Sequence, residues 1–321
     1  MKLPEKDLQI THRDSILVMG SCFTEHIGRW LQCARFPCSV NPYGVLYNPM
    51  SLLQALQEME TGKVYSTEDV FFQNGVWNSW MHHSTFSNPD RRLLLEKINK
   101  TNKEMRQKIS GLHLLILTWG TNRAYKYKET GQIVGNCHKV PAGEFKETEL
   151  SREAIVTVYS DWMERHPEIH LLLTVSPIRY KKYGLHESNL SKATLLLAQN
   201  DLVKRFEGRC HYFPSYEILM DELRDYRFYA EDMVHPSETA IHYIEECFSK
   251  CYFSMETQLV NQECERIAKA LNHRPLHPDT DVYQCFLRKI VLRIQALKEK
   301  YPYLSNKFEN ETRLCHTLLK K

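Results

Sequence analysis

Leu17-Val18-Met19-Gly20-Ser21-Cys22-Phe23-Thr24 is the stretch whose reading decides the fold. Its apolar run stops at a glycine, a hydroxyl residue follows, and Phe23, Ile27, Trp30 and Leu31 then recur at helical spacing. The pattern predicts a buried strand that turns abruptly into a helix. Backbone N–H groups at such a helix start have no intrahelical acceptor and can face a developing oxyanion. Ser21 is therefore the first candidate nucleophile, although serine is also an ordinary helix-capping residue.

Working outward, Ser15–Met19, Leu112–Thr118, His170–Val175 and His211–Phe213 read as buried strands. Helical patterns cover Asp90–Ile109, Thr148–Arg165 and Leu190–Phe206, and another runs from Pro236 to about Lys250. This alternation predicts an α/β domain, a mostly parallel sheet flanked by helices. Ligands bind such sheets at the carboxyl ends of strands, where Ser21, Gly120 and Ser176 fall. Asn41–Pro49 has the residues of an ordered loop, and Val76–Phe86 carries Trp77, Trp80, His82 and His83, which suit either a core-packed loop or a substrate wall. From residue 255 the pattern changes to polar helices at Thr257–Leu271 and Thr280–Glu299, separated by Asn272–Asp279. The expected organisation is thus a catalytic-type domain over 1–254 and a helical extension over 255–321, the latter a lid or an oligomer contact.

With 42 basic and 39 acidic residues interspersed, the chain lacks the footprint of a nucleic-acid binder. The first sixteen residues lack the apolar centre of a secretory signal, and no apolar run is long enough for a membrane span. A cytoplasmic location is expected. The ten cysteines contain no Cys-x-x-Cys pair and read as reduced thiols; Cys247 and Cys251, four apart in a helix, read as packing residues. No metal and no cofactor is implied, and the oligomeric state is not legible.

Two further stretches carry chemistry. In Asp232-Met233-Val234-His235-Pro236-Ser237 a carboxylate three residues before a histidine can hold the imidazole Nδ1–H and leave Nε2 as a general base. In Leu117-Thr118-Trp119-Gly120-Thr121-Asn122 a strand ends in a glycine N–H and an asparagine amide, both donors suited to an oxyanion.

The order Ser, Gly-x-Asn, Asp-x-x-His resembles the SGNH or GDSL-type hydrolase superfamily, and more closely its GSCFA branch, whose N-terminal motif here reads Gly20-Ser21-Cys22-Phe23-Thr24. Ser79-Trp80-Met81-His82-His83-Ser84, Gly135-Asn136-Cys137-His138-Lys139-Val140-Pro141, Thr174-Val175-Ser176-Pro177-Ile178-Arg179 and Asp225–Ser237 are similar to that branch too, over about residues 1–250. The resemblance implies a flavodoxin-like three-layer sandwich. It implies Ser21 as nucleophile, His235 as base and Asp232 as its orienting carboxylate, with the Ser21 amide, Gly44 and Asn122 as oxyanion donors. The chain departs from the wider pattern in having Met19 rather than an Asp in the stretch before Ser21, and Arg123 after Asn122.

The residues beside these motifs leave alternatives. If Asn122 points away, Asn136 takes its place as donor and His138 binds a polar substrate group. His82 or His83 lines the pocket, His83 being the candidate. Cys22, beside a helix start, is a rival nucleophile. The expected activity is a serine acyl ester hydrolase, a carbohydrate O-acyl esterase or acyltransferase included, acting on a small-molecule or glycan acyl ester through a covalent acyl-enzyme. The alternatives are a non-catalytic binding module for an acylated glycan or cell-wall fragment, and an interaction protein working through its helical tail.

Overall fold

The computed structural model describes residues 3–4, 7–272, 275 and 280–319. The chain runs through β1 (Ile16–Gly20), α1 (Cys22–Cys33), β2 (Cys38–Val40) and α2 (Pro49–Thr61), then a hairpin of β3 (Val70–Gln73) and β4 (Val76–Ser79), then α3 (Arg91–Ile109). β5 (Leu114–Trp119) precedes a small antiparallel sheet of β6 (Arg123–Tyr127), β7 (Ile133–Val134) and β8 (Phe145–Glu149). There follow α4 (Arg152–Arg165), β9 (His170–Val175), α5 (Leu185–Arg205), β10 (Cys210–Tyr212) and α6 (Ser215–Glu217), a single turn that continues into a π-helical stretch at Ile218–Leu223. α7 (Glu238–Tyr252), α8 (Met255–Asn272), α9 (Asp281–Lys300) and α10 (Glu309–Leu319) complete the described chain.

The central sheet has five strands in the order β10-β9-β5-β1-β2, all parallel. Alternate residues of its strands feed two separate cores. Leu17, Met19, Leu115, Leu117, Leu171 and Leu173 meet residues of α2, α4 and α5, whereas Ile16, Val18, Leu114, Ile116 and Leu172 meet residues of α1 and α7. That is a three-layer α/β/α arrangement, and burial of each such side chain stabilises the fold by about 1.5–3 kcal/mol. The chain goes from β1 outward to β2, then returns across β1 to β5, so the order reverses between β1 and β5. This switch point opens a crevice at their carboxyl ends.

Two glycines permit the close approaches that shape this end. Gly20 has φ +149°, and a Cβ there would lie 2.3 Å from the Thr118 carbonyl oxygen. Gly28 of α1 faces β2, where a Cβ would lie 2.5 Å from both methyl carbons of Val40.

The sequence reading differs from the structure at several elements. Val76–Phe86 is half strand: β4 pairs with β3, and His83 then caps a single 3-10 turn at Ser84–Phe86. Residues 148–149 end β8, and α4 starts only at Arg152, where the Ser151 hydroxyl accepts from the Ala154 N–H. α7 begins at Glu238, capped by Ser237, with Pro236 just outside the helix. Most of the 272–279 connection lies outside the described residues. The C-terminal helices build their own core around Val260, Cys264, Leu287, Ile294 and Phe308. They join the rest through an Arg35–Glu311 ion pair of 2.5 Å and through Tyr303, which stacks on His12 and lies under the Arg13 guanidinium.

Candidate functional site

A cavity of about 530 Å³ opens at the switch point, bounded by the ends of β1, β5 and β9, by the 43–48 and 134–137 loops, and by the His235 loop. Ser21 stands at its floor as the N-cap of α1, fully buried, and its side chain caps no N–H of the helix. The hydroxyl donates instead to Ser176 Oγ at 2.8 Å, from the end of β9. The Ser21 N–H makes only a long contact, 3.3 Å, to the Thr118 carbonyl.

His235 lines the same cavity from the loop just before α7. Its Nδ1–H donates to Asp232 Oδ2 at 2.5 Å, while Asp232 Oδ1 accepts the N–H groups of Val234 and His235 at 2.8 and 3.0 Å. The His235 side chain and these two amides hold the Asp232 carboxyl well below the usual carboxylate range. With Nδ1 engaged, Nε2 is the ring nitrogen left to accept a proton. Met233, at φ +57°, makes the tight turn that lets the carboxylate reach back to the ring.

The sequence profile of the GSCFA family matches residues 15–248, and that of the GSCFA domain protein, C-terminal domain, matches residues 264–321. The chain belongs to the GSCFA family. Searches of curated proteins and of solved structures find no match.

In this GSCFA chain, Ser21, His235, Gly120, His83 and Asn136 all line the cavity. Asn122 does not. Its side-chain amide donates to the Leu150 carbonyl at 3.2 Å and its N–H to Ser191 Oγ at 2.9 Å, so the residue ties β5 to the start of α4 and to α5. Asn122 as an oxyanion donor is therefore corrected. Gly44 is corrected on similar grounds: its N–H donates to the Asn41 carbonyl at 2.7 Å, and its lack of a side chain serves a close approach to His83, whose Cβ would lie 2.1 Å from an added one. Gly120 offers no free donor either, since its N–H and that of Thr121 both go to the Tyr47 carbonyl at 2.8 and 3.1 Å.

His138 is likewise corrected. It is buried away from the cavity, with Nε2 at 2.8 Å from the Ser79 carbonyl, and burial lowers its pKa. His82 sits fully buried on Tyr43, its ring 4.0 Å away, where desolvation pushes its pKa down to about 3. Asn136 remains. Its side-chain oxygen accepts the His138 N–H at 2.9 Å, which fixes the flip of the amide and leaves the NH2 end for the cavity. Cys22 also lines the cavity, but burial raises its thiol pKa, against the activation a nucleophilic thiolate needs.

The sequence reading missed Lys192. This α5 residue is buried at the cavity floor, where its ammonium group donates to the Gly120 carbonyl at 2.8 Å and the Ser176 carbonyl at 2.9 Å. Desolvation pulls its pKa down to about 7. A lysine in the second turn of a helix, between Ser191 and Ala193, carries no motif signal. Arg123, in sequence only a departure from the wider pattern, lines the cavity and pairs with Glu147, Glu149 and Glu187 at 2.8, 3.0 and 2.8 Å. No described residue of the C-terminal helices lines the cavity, so the extension is not a lid in this structure. Among the described residues no helix is long and apolar enough to cross a membrane, and no His, Cys, Asp and Glu side chains converge as a metal site.

Proposed function

We propose that this protein is a serine-dependent acyl ester hydrolase or acyltransferase. The observation that carries the reading is that an Asp-oriented imidazole with its Nε2 available shares one cavity with a buried serine at a helix start. Ser21 Oγ would turn from Ser176 to His235, give up its proton to Nε2 and attack the acyl carbon. Catalytic hydrogen bonds are often loose before substrate arrives. The tetrahedral oxyanion is then held by the amides at the start of α1 and by Asn136 Nδ2. Collapse expels the alcohol, protonated by His235, and leaves an ester on Ser21. His235 next activates water or an acceptor hydroxyl to release the acyl group. The volume suits a small ester or one sugar residue of an acylated glycan. All ten cysteines are free thiols, which fits work in the reducing cytoplasm.

One observation favours a second reading. Ser21's hydroxyl is committed to Ser176 rather than to the imidazole, as it would be in a module that binds an acylated glycan without turning it over. Intact-protein mass spectrometry after fluorophosphonate treatment separates the two. A single adduct that survives Cys22→Ala and is lost in Ser21→Ala supports the hydrolase; a folded wild type that stays unlabelled supports the binding module.

A further inference from the structure

Three lysines line this cavity, and each donates only to a neutral oxygen. Lys192 meets two backbone carbonyls, Lys181 Nζ meets the Asp232 carbonyl at 3.0 Å, and Lys182 Nζ meets Tyr125 Oη at 2.7 Å. Among the described residues, no carboxylate lies within ion-pair distance of any of them. Arg123 differs, since it is paired with three glutamates, whose summed charge exceeds its own behind that wall. No aspartate or glutamate lines the cavity, so the charged side chains that reach its surface are all basic, and an anion inside would meet lysine donors directly. Lys192 makes the case specific. A buried lysine without a counterion holds its proton weakly, and a ligand carrying negative charge supplies the partner that keeps it charged.

We propose that the substrate is an anionic ester, one bearing a carboxylate or phosphate group that Lys181 and Lys182 hold at the cavity rim while Lys192 complements its charge from the floor. The proposal rests on the acyl-ester reading above for the word ester, and on the unpaired lysines for the word anionic. Lys181 and Lys182 are adjacent in the segment between β9 and α5, so one short piece of chain delivers both charges. Their bonds to Tyr125 and to the Asp232 carbonyl set their positions before the ligand arrives.

The test is calorimetric titration of the full-length Ser21→Ala protein with two matched ester pairs. Monomethyl and dimethyl succinate differ by a carboxylate on the acyl side; 1-acetylglycerol 3-phosphate and 1-acetylglycerol differ by a phosphate on the alcohol side. The expected result is that the anionic member of at least one pair binds tenfold or more tightly, the responding pair telling which side carries the charge. Adding Lys181→Gln and Lys182→Gln, singly and together, should shrink that preference at least fivefold. Equal binding within both pairs, no measurable binding at millimolar ligand, or a preference indifferent to both substitutions overturns the proposal. Because Ser21→Ala needs no turnover, an anion preference beside an unlabelled wild type would keep this inference and sink the esterase. Labelling at Ser21 without an anion preference would do the reverse.

Discussion

Replacing Lys192 by methionine should change how stability depends on pH. The side chain is buried, bonded only to the Gly120 and Ser176 carbonyls, and its pKa falls from 10.5 in water to about 7. The sign follows from proton counting. Between those two values the unfolded chain binds the proton and the folded chain does not, so stability rises with pH across that window. At pH 6 the charged, buried ammonium opposes folding by nearly its whole desolvation cost, about 5 kcal/mol. Between pH 7 and pH 9 about 2 kcal/mol of this is relieved. Methionine fills a similar volume without charge, so the wild-type stability minus that of Lys192→Met should climb by about 2 kcal/mol over the same range. Urea unfolding followed by tryptophan fluorescence at pH 6, 7, 8 and 9 measures that difference, and contributions of other groups cancel in the subtraction. A difference that stays flat would refute the reasoning, because the lysine would then be as solvated in the fold as in the unfolded chain. The two lost hydrogen bonds add only a constant offset.

Other consequences are more local. Asn136→Ala should cost on the order of 3 kcal/mol in the barrier, seen as a fall in kcat of about a hundredfold or more with a smaller change in KM. Asn122→Ala should instead lower the urea midpoint by removing a buried amide bond, about 1–3 kcal/mol, while leaving fluorophosphonate labelling of Ser21 in place. Gly20→Ala would drive a methyl group against the Thr118 carbonyl and strain a positive φ, so it should destabilise by about 3 kcal/mol or prevent soluble expression; a variant with an unchanged melting temperature would contradict the geometry.

The three central strands were legible because β1, β5 and β9 are mainly apolar runs, as strands covered on both faces must be. His170–Val175 appears in the structure with the bounds its composition suggests. β2 was not legible, since its three residues lie half-buried at the edge and carry no run. α2 was hidden by double meaning. Asn48-Pro49 reads as turn chemistry, yet it is also an N-cap followed by a proline at the first helical position, and the Asn48 side chain does accept the Ser51 N–H at 2.9 Å. At the site, the local pair Asp232 and His235 could be read from spacing because three residues suffice to bring them together. The direction of the Asn122 amide could not, because it is decided by Leu150 and Ser191, remote in sequence. Lys192 was invisible for the same reason: only the closed fold shows that a helix lysine lies beneath two strand ends.

The sheet of β6, β7 and β8 leaves the central scaffold after β5 and rejoins it at α4. Through Arg123, Tyr125 and Val134, with Asn136 on the loop just beyond β7, it supplies one wall of the cavity, whereas Ser21, Ser176, Lys192 and His235 hang from the scaffold itself. The chamber's outline and its nucleophile and base are thus written in separable stretches of polypeptide, with Asn136 the one proposed reactive group that travels with the outline. Exchanging residues 123–149 for the corresponding stretch of another member would swap the shape of the chamber while leaving the buried serine, the imidazole and the strand ends beneath them untouched.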